Sequence, residues 1–154
     1  NQALPGLRAR SPQDDHSLFR LYNVSVPAKL RGLSGLTNEE WRDSWERSGK
    51  TNVELVYEDN STLLAWLRFL DLGKYVLGEM LVHPQYESLI PKLVDKSTSI
   101  WKAKESIAWL TADYQPNLSL ALQQVGFLNA GNYTVMVKPL VELIKEPSLA
   151  IVQA

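Results

Sequence analysis

A few side chains in this sequence stand where they could do chemistry. Glu79 is a carboxylate set among Leu77, Met80 and Leu81 in an apolar run. Apolar surroundings suit a carboxylate to general-base work. The plainer reading is a glutamate on a sheet face that reaches solvent or pairs with Lys or Arg. His83 precedes Pro84 at the end of the same run, where a role as base or ligand competes with that of a loop histidine. His16 lies in an acidic stretch and reads as a surface residue. The two histidines are far apart in the chain, without clustered carboxylates, so no metal site is expected. There is no cysteine, which excludes a disulfide, a thiolate metal site and a cysteine nucleophile. Ser, His and Asp all occur, but no Gly-x-Ser-x-Gly pattern supports a serine hydrolase.

The stretch "VHPQYESLIPKL", residues 82–93, opens like the lead-in to a phosphate-binding loop: a hydrophobic strand, His-Pro, an aromatic residue, then a helix. Glycines in such a loop let backbone N–H groups approach a phosphate at a helix start. Here those places hold Glu87, Ser88, Leu89, Ile90 and Pro91. With Ser88 as N-cap, Pro91 takes the third helical position, where proline is tolerated but offers no N–H to an anion. Lys92 and Lys96 either supply point charges instead or form a solvated helix face. Tyr57, Trp66, Tyr75, Trp109 and Tyr114 either line a pocket for an apolar group or pack the core.

The elements that would position these residues follow from periodicity. A short strand at 7–10 leads to Ser11 as N-cap, Pro12 at the first helical position and Asp14 and Asp15 at the positive helix start. Leu18, Leu21 and Tyr22 form the stripe of that helix. Residues 24–36, with Pro27, Gly32 and Gly35, read as loop. A capping box from Thr37 to Glu40 begins a helix carrying Trp41 and Trp45 on one face, ended by Gly49. Residues 53–59, 62–71 and 74–84 are rich in β-branched and aromatic residues, with turn signals between them, and predict an antiparallel meander. A helix with Ile90, Leu93, Val94, Ser97 and Trp101 on one side follows. Then come a central strand at 105–112 and a helix with Asn117 as N-cap, Leu118, Ala121, Leu122 and Val125 buried, and Gly126 just past its end. A last strand spans 132–140. The strands at 74–83 and 105–112, joined by a crossover helix, should be parallel.

At 154 residues and a net charge of −1, the chain suits one domain, residues 1–140, with a tail or linker at 141–154. Scattered charge argues against nucleic acid or a membrane surface as partner. No apolar run approaches the roughly 20 residues of a membrane span. Absence of cysteine and of a signal-peptide core fits a cytoplasmic protein. The apolar tail and the lack of a starting Met suggest a homodimer or the second domain of a longer chain.

The order β-α-α-β-β-β-α-β-α-β, with the phrases "LRARSPQDDHSLFRL", "LVYEDNSTLLAWLRF", "MLVHPQY" and "VGFLNAGNYTVMVKPL", resembles the GNAT (N-acetyltransferase) superfamily over nearly the whole chain. The resemblance implies an α/β mixed sheet with acetyl-CoA or another acyl-CoA in a gap between the fourth and fifth strands. It also implies a small-molecule amine or peptide as acceptor. It gives Glu79 the part of general base, and Leu81, Val82 and Lys92 the part of cofactor-binding residues. Two departures stand against an intact enzyme. The glycine loop is missing, and Leu122 occupies the place, four before Gly126-Phe127, where many members carry a tyrosine acid. The asparagine that many members carry near that helix start falls near Gln115 or Asn117. Three readings follow: a divergent domain with weak or lost acyl-CoA binding, an active acyltransferase with an altered phosphate site, or a non-catalytic ligand- or protein-binding module.

Overall fold

The computed structural model describes residues 4–34, 52–134 and 136. Strand β1 (Leu7–Ala9) runs into a 3₁₀ turn, Pro12–Asp14, and then helix α1 (Asp15–Ser25). Ser11 caps this start in a capping box, its N–H donating to Asp14 Oδ2 at 2.7 Å. Leu18 and Leu21 are buried and Tyr22 packs beside them, as the stripe requires. Helix α2 (Ala28–Ser34) replaces the loop expected over 24–36. Its first turn is set at Pro27, whose carbonyl accepts from Leu30 and Arg31 N–H, and a single Gly32 inside a helix costs only about 1 kcal/mol.

Three long strands follow: β2 (Asn52–Asp59), β3 (Thr62–Asp71) and β4 (Tyr75–Val82). Asn60 and Ser61 adopt the left-handed conformation at φ 47° and 61°, the backbone of a tight hairpin turn. Gly73, at φ 89°, closes the next hairpin and donates to Asp71 Oδ1. A 3₁₀ helix, Pro84–Leu89, precedes α3 (Ile90–Ile100). Strand β5 (Ser106–Trp109) and helix α4 (Pro116–Gln124) complete the described elements. The sheet order is β1-β2-β3-β4-β5, antiparallel throughout except for the parallel β4–β5 pair.

One face of the sheet buries Ala65, Leu67, Phe69, Val76 and Met80 against Ile90, Leu93 and Val94 of α3 and Leu118, Ala121 and Leu122 of α4. The other face buries Val56, Leu63 and Trp66 against Leu18 and Leu21 of α1. Both helix stripes match their periodicity, except that Val125 is half exposed. It lies past the last turn of α4, at the C-cap, where the helical spacing no longer aims a side chain at the sheet. Gln115, not Asn117, stands at the cap of α4, because Pro116 takes the first helical position. The helix after β4 begins at Ile90, not after Ser88, and Pro91 is its second residue. Residues 132–134 form no strand. The rest of the expected last strand, apart from Met136, lies outside the described residues, as do the 37–49 helix with Trp41 and Trp45 and the 141–154 tail. Among the described residues no helix is long and apolar enough to cross a membrane.

Arg8 ties the edge of this assembly together. Its guanidinium donates to both Asp14 oxygens, at 2.8 and 2.7 Å, and to Glu58 Oε2 at 2.7 Å, joining β1, the helix start and β2. The Asp14 side chain is 10% exposed, and the bonds from Arg8 hold its pKa at about 2, below the ordinary 3.8. A carboxyl with a depressed folded pKa stabilises the fold above its unfolded value, and that contribution is lost as pH falls through the folded one. Asp14→Asn should therefore destabilise the protein at pH 7 by roughly 1–2 kcal/mol, discounted because Arg8 is partly solvated. Thermal melts of both proteins should converge as pH drops from about 4 to 2; a difference that persists at pH 2 would assign the loss to capping alone.

Candidate functional site

The parallel pair is where the sheet opens. Tyr75, Val76, Leu77 and Gly78 of β4 face Ser106, Ile107, Ala108 and Trp109 of β5. Among the described residues the last main-chain bond between the two segments is Leu110 N–H to Gly78 O, at 2.9 Å. β4 continues to Val82 while β5 has ended. Beyond Gly78 a side chain spans the opening: Gln115 Nε2 donates to Met80 O at 2.7 Å, and Gln115 Oε1 accepts from Ala112 N–H at 3.1 Å. Farther along, Ser25 Oγ at the end of α1 donates to Val82 O at 3.1 Å.

Gly78 marks the branch point for a steric reason. A Cβ there would stand 3.1 Å from both Phe69 Cε1 and Trp109 Cε3. Phe69 meets Trp109 edge-on at 5.5 Å and lies 5.6 Å from Trp101, so the strands pair over an aromatic cluster that fills the space of a side chain. Trp109 therefore belongs to the α3/α4 face, whereas Trp66 is buried on the α1 face and donates its indole N–H to Glu54 at 2.9 Å. Tyr75 is half exposed and Tyr57 packs on the core. The five aromatics that could have lined one pocket are thus dispersed.

Glu79 lies directly opposite Arg68 on β3, with Nη2 3.1 Å from its Oε2, and is about one-third exposed. Tyr114, in the segment between β5 and α4, stands within electrostatic reach of it. Burial pushes the Tyr114 phenol pKa up, and Tyr22, Glu79 and Tyr133 add to that rise. Its hydroxyl therefore stays protonated at neutral pH and can donate. Tyr114 thus has Tyr22, Glu79 and Tyr133 within electrostatic reach, and Arg68 stands opposite Glu79. Sequence reasoning marked Glu79 and treated Tyr114 only as an aromatic surface, since nothing local signals its distant neighbours. Leu81 packs on the α1 face and Val82 on the α3/α4 face; the main chain of Leu81 faces Trp66 of β3, and only that of Val82 faces away from β3. Lys92 is exposed on α3.

The segment after β4 does not offer a row of N–H donors. Gln85 N–H donates to His83 Nδ1 at 3.2 Å, and Tyr86 N–H to His83 O at 2.8 Å. Ile90 N–H bonds Glu87 O, and Pro91 has none. His83 acts as a cap of the 3₁₀ helix, stacked edge-on against Tyr86. Between this segment and α4 lies an open groove of about 280 Å³, lined in part by Glu87, Ser88, Pro91, Asn117 and Leu120. Its Glu87 carboxylate accepts from Asn117 Nδ2. A carboxylate therefore lines the groove. Among the described residues no group of three or more His, Cys, Asp or Glu side chains could hold a metal ion.

A mixed sheet whose parallel pair opens between two helix starts defines the class of fold. It is the fold of the GNAT acyl-CoA N-acyltransferases, shared with many solved structures. A transcriptional regulator from Bacillus halodurans C-125 superimposes with a TM-score of 0.64 at 16% identity, covering 84% of this chain and 97% of that one. The ribosomal-protein-alanine N-acetyltransferase of Brucella melitensis biovar Abortus 2308 gives 0.58 at 14% identity, covering 84% and 97%. AAC(6')-Iy, in complex with the bisubstrate analogue CoA-S-monomethyl-acetylneamine, gives 0.60 at 13% identity, covering 86% and 97%. No family model matches the sequence, and no curated protein matches it. The chain is a GNAT-like domain by fold.

Gly78→Ala tests the branch point. Forcing a methyl group between Phe69 and Trp109 should cost about 1–3 kcal/mol in denaturant unfolding and perturb the fluorescence of Trp109. An unchanged midpoint would mean that the cluster yields freely.

Proposed function

We propose that this is a divergent GNAT domain whose nucleotide-diphosphate site has been lost, so that acyl-CoA binds weakly or not at all. The observation that carries the reading is the Glu87 carboxylate in the groove between the 3₁₀ helix and α4, joined to Asn117. The N–H groups of Gln85, Tyr86 and Ile90 already have acceptors, and Pro91 has none to give. The residues present do not fit a diphosphate. Losing two charge-assisted bonds at about 1.5–3 kcal/mol each lowers affinity roughly a hundredfold or more. Acetyl-CoA titrated by calorimetry at physiological salt should show a dissociation constant of roughly 0.1 mM or weaker. Low-micromolar binding would overturn the reading and would make Lys92, with the main chain of Val82, the place to look for a replacement.

An active acyltransferase with an altered phosphate site is favoured by one observation: Glu79 lies within electrostatic reach of Tyr114, whose phenol stays protonated at neutral pH. If the domain acylates a small-molecule amine or a peptide, Glu79 takes the proton of the acceptor amine, and Arg68 holds the carboxylate in place. Tyr114 then stands in for the acid that Leu122 cannot supply. Glu79→Gln keeps size and hydrogen bonding and removes the base, so turnover should fall roughly 10²–10⁴-fold near neutral pH while the fold persists. Equal activity of the variant would remove Glu79 from the chemistry. Absence of turnover with a panel of amines and acyl thioesters would favour a non-catalytic binding module.

A further inference from the structure

A carboxylate and an exposed leucine make opposite demands on whatever covers them, and both border the groove between the 3₁₀ helix and α4. The groove holds about 280 Å³, the space of a long side chain rather than of a folded element. Of the apolar residues that line it, Ile90 and Ala121 belong to the buried core, whereas Pro91 is exposed and Leu120 is 52% exposed. Asn117 Nδ2 donates to Glu87 Oε2. A neutral amide does not cancel the charge of a carboxylate, and two oxygens with about four lone-pair sites keep room for further donors. No Lys, Arg or His lines the groove among the described residues. The surface therefore combines an apolar wall that water covers poorly with an acceptor that wants a cation.

We propose that this groove docks an arginine side chain from an extended segment of a partner protein. The inference rests on the reading that the diphosphate site is lost, since the carboxylate that turns away a diphosphate is the one that draws the guanidinium. Arginine meets both demands at once. Its aliphatic stem covers Pro91 and Leu120, and its head stays polar at the far end. The planar guanidinium fork matches a carboxylate, which the point charge of lysine does not. Charge complementarity also selects the source. Free arginine carries an α-carboxylate that Glu87 repels, whereas the same residue inside a peptide has lost that charge. A space of this size admits the side chain and leaves the partner's main chain on the rim, so the partner is extended rather than helical there.

The probe is a blocked pentapeptide, acetyl-Ala-Ala-Arg-Ala-Ala-amide, with citrulline in place of arginine as its uncharged isostere. Both are titrated into the wild-type chain, Glu87→Gln and Leu120→Ser, with binding followed by amide chemical shifts. Glutamine still accepts from Asn117, so Glu87→Gln removes the charge and keeps the link, and Leu120 is exposed enough for serine to leave the fold intact. The arginine peptide should shift the amides of Ser88, Asn117 and Gln124 and saturate at roughly millimolar concentration. The citrulline peptide on wild type, and the arginine peptide on Glu87→Gln, should each bind at least about tenfold more weakly, the loss of one charge-assisted bond. Leu120→Ser should weaken the arginine peptide roughly threefold or more. Equal binding of the two peptides, an unchanged affinity in Glu87→Gln, or shifts confined to other parts of the chain would overturn the proposal. Shifts of the same three amides on raising protein concentration alone would assign the groove to a second copy and overturn it too. Acetyl-CoA titrated in parallel separates the two readings. Low-micromolar acetyl-CoA binding refutes the loss of the diphosphate site whatever the peptides do, and weak acetyl-CoA binding without discrimination between the peptides refutes the docking role alone.

Discussion

Buried main-chain groups must find partners, and the end of the β4–β5 pairing is where this requirement organises the molecule. Had β5 stayed beside β4 to Val82, the carbonyls of Met80 and Val82 would have been satisfied by a ladder. Instead the pairing stops at Gly78, over Phe69 and Trp109, and the chain must supply acceptor satisfaction from elsewhere. Gln115 comes from the cap of α4 and Ser25 from the end of α1. Both helices are thus docked not only by Leu18, Leu21, Leu118 and Leu122 but by a polar bond to the same strand. Apolar burial brings a helix to the sheet without fixing its depth along a strand, since it is non-directional. The two hydrogen bonds set that depth.

Electrostatics then decides what the opening can accept. In the segment after β4 the N–H groups of Gln85, Tyr86 and Ile90 have acceptors within the segment, and Glu87 reaches across to Asn117 on α4. That link closes the mouth of the groove with a negative group, and a second anion brought to the same place would meet repulsion in a partly desolvated setting. On the opposite face Glu79 is matched by Arg68, and it lies within electrostatic reach of Tyr114. The two sides of the sheet therefore differ: the α4 side carries the Glu87–Asn117 link, and the α1 side carries the Arg68–Glu79 pair.

The sequence made the strands and their turns readable because each signal was local. Asn60-Ser61 and Gly73 stand at backbone positions that need positive φ, and the strand ends fall within a residue or two of those signals. The parallel pair was readable for a topological reason, since the intervening helix leaves no antiparallel return. α2 was misread because Pro27 and two glycines look like loop punctuation, yet Pro27 serves as a helix start. The cap of α4 was misplaced because Asn117 is a better capping residue by type, while Pro116 fixes the first helical position by geometry. Glu79 was visible as a carboxylate in an apolar run; its partner Arg68 was not, because pairing across two strands depends on register rather than on spacing.

Gln115 shows why a site can be absent from sequence patterning altogether. Its bond to Met80 O joins residues 35 apart, and its bond to Ala112 N–H depends on the local turn before α4. Neither has a periodicity, and glutamine is an unremarkable residue before a helix. The missing glycine loop, by contrast, was readable as an absence. The two observations are physically linked. A diphosphate anchored at the helix start would supply enough binding energy to displace a single side-chain amide from the strand edge. Gln115 holds both the Met80 carbonyl and the Ala112 N–H as part of its own chain, at no cost in translational freedom.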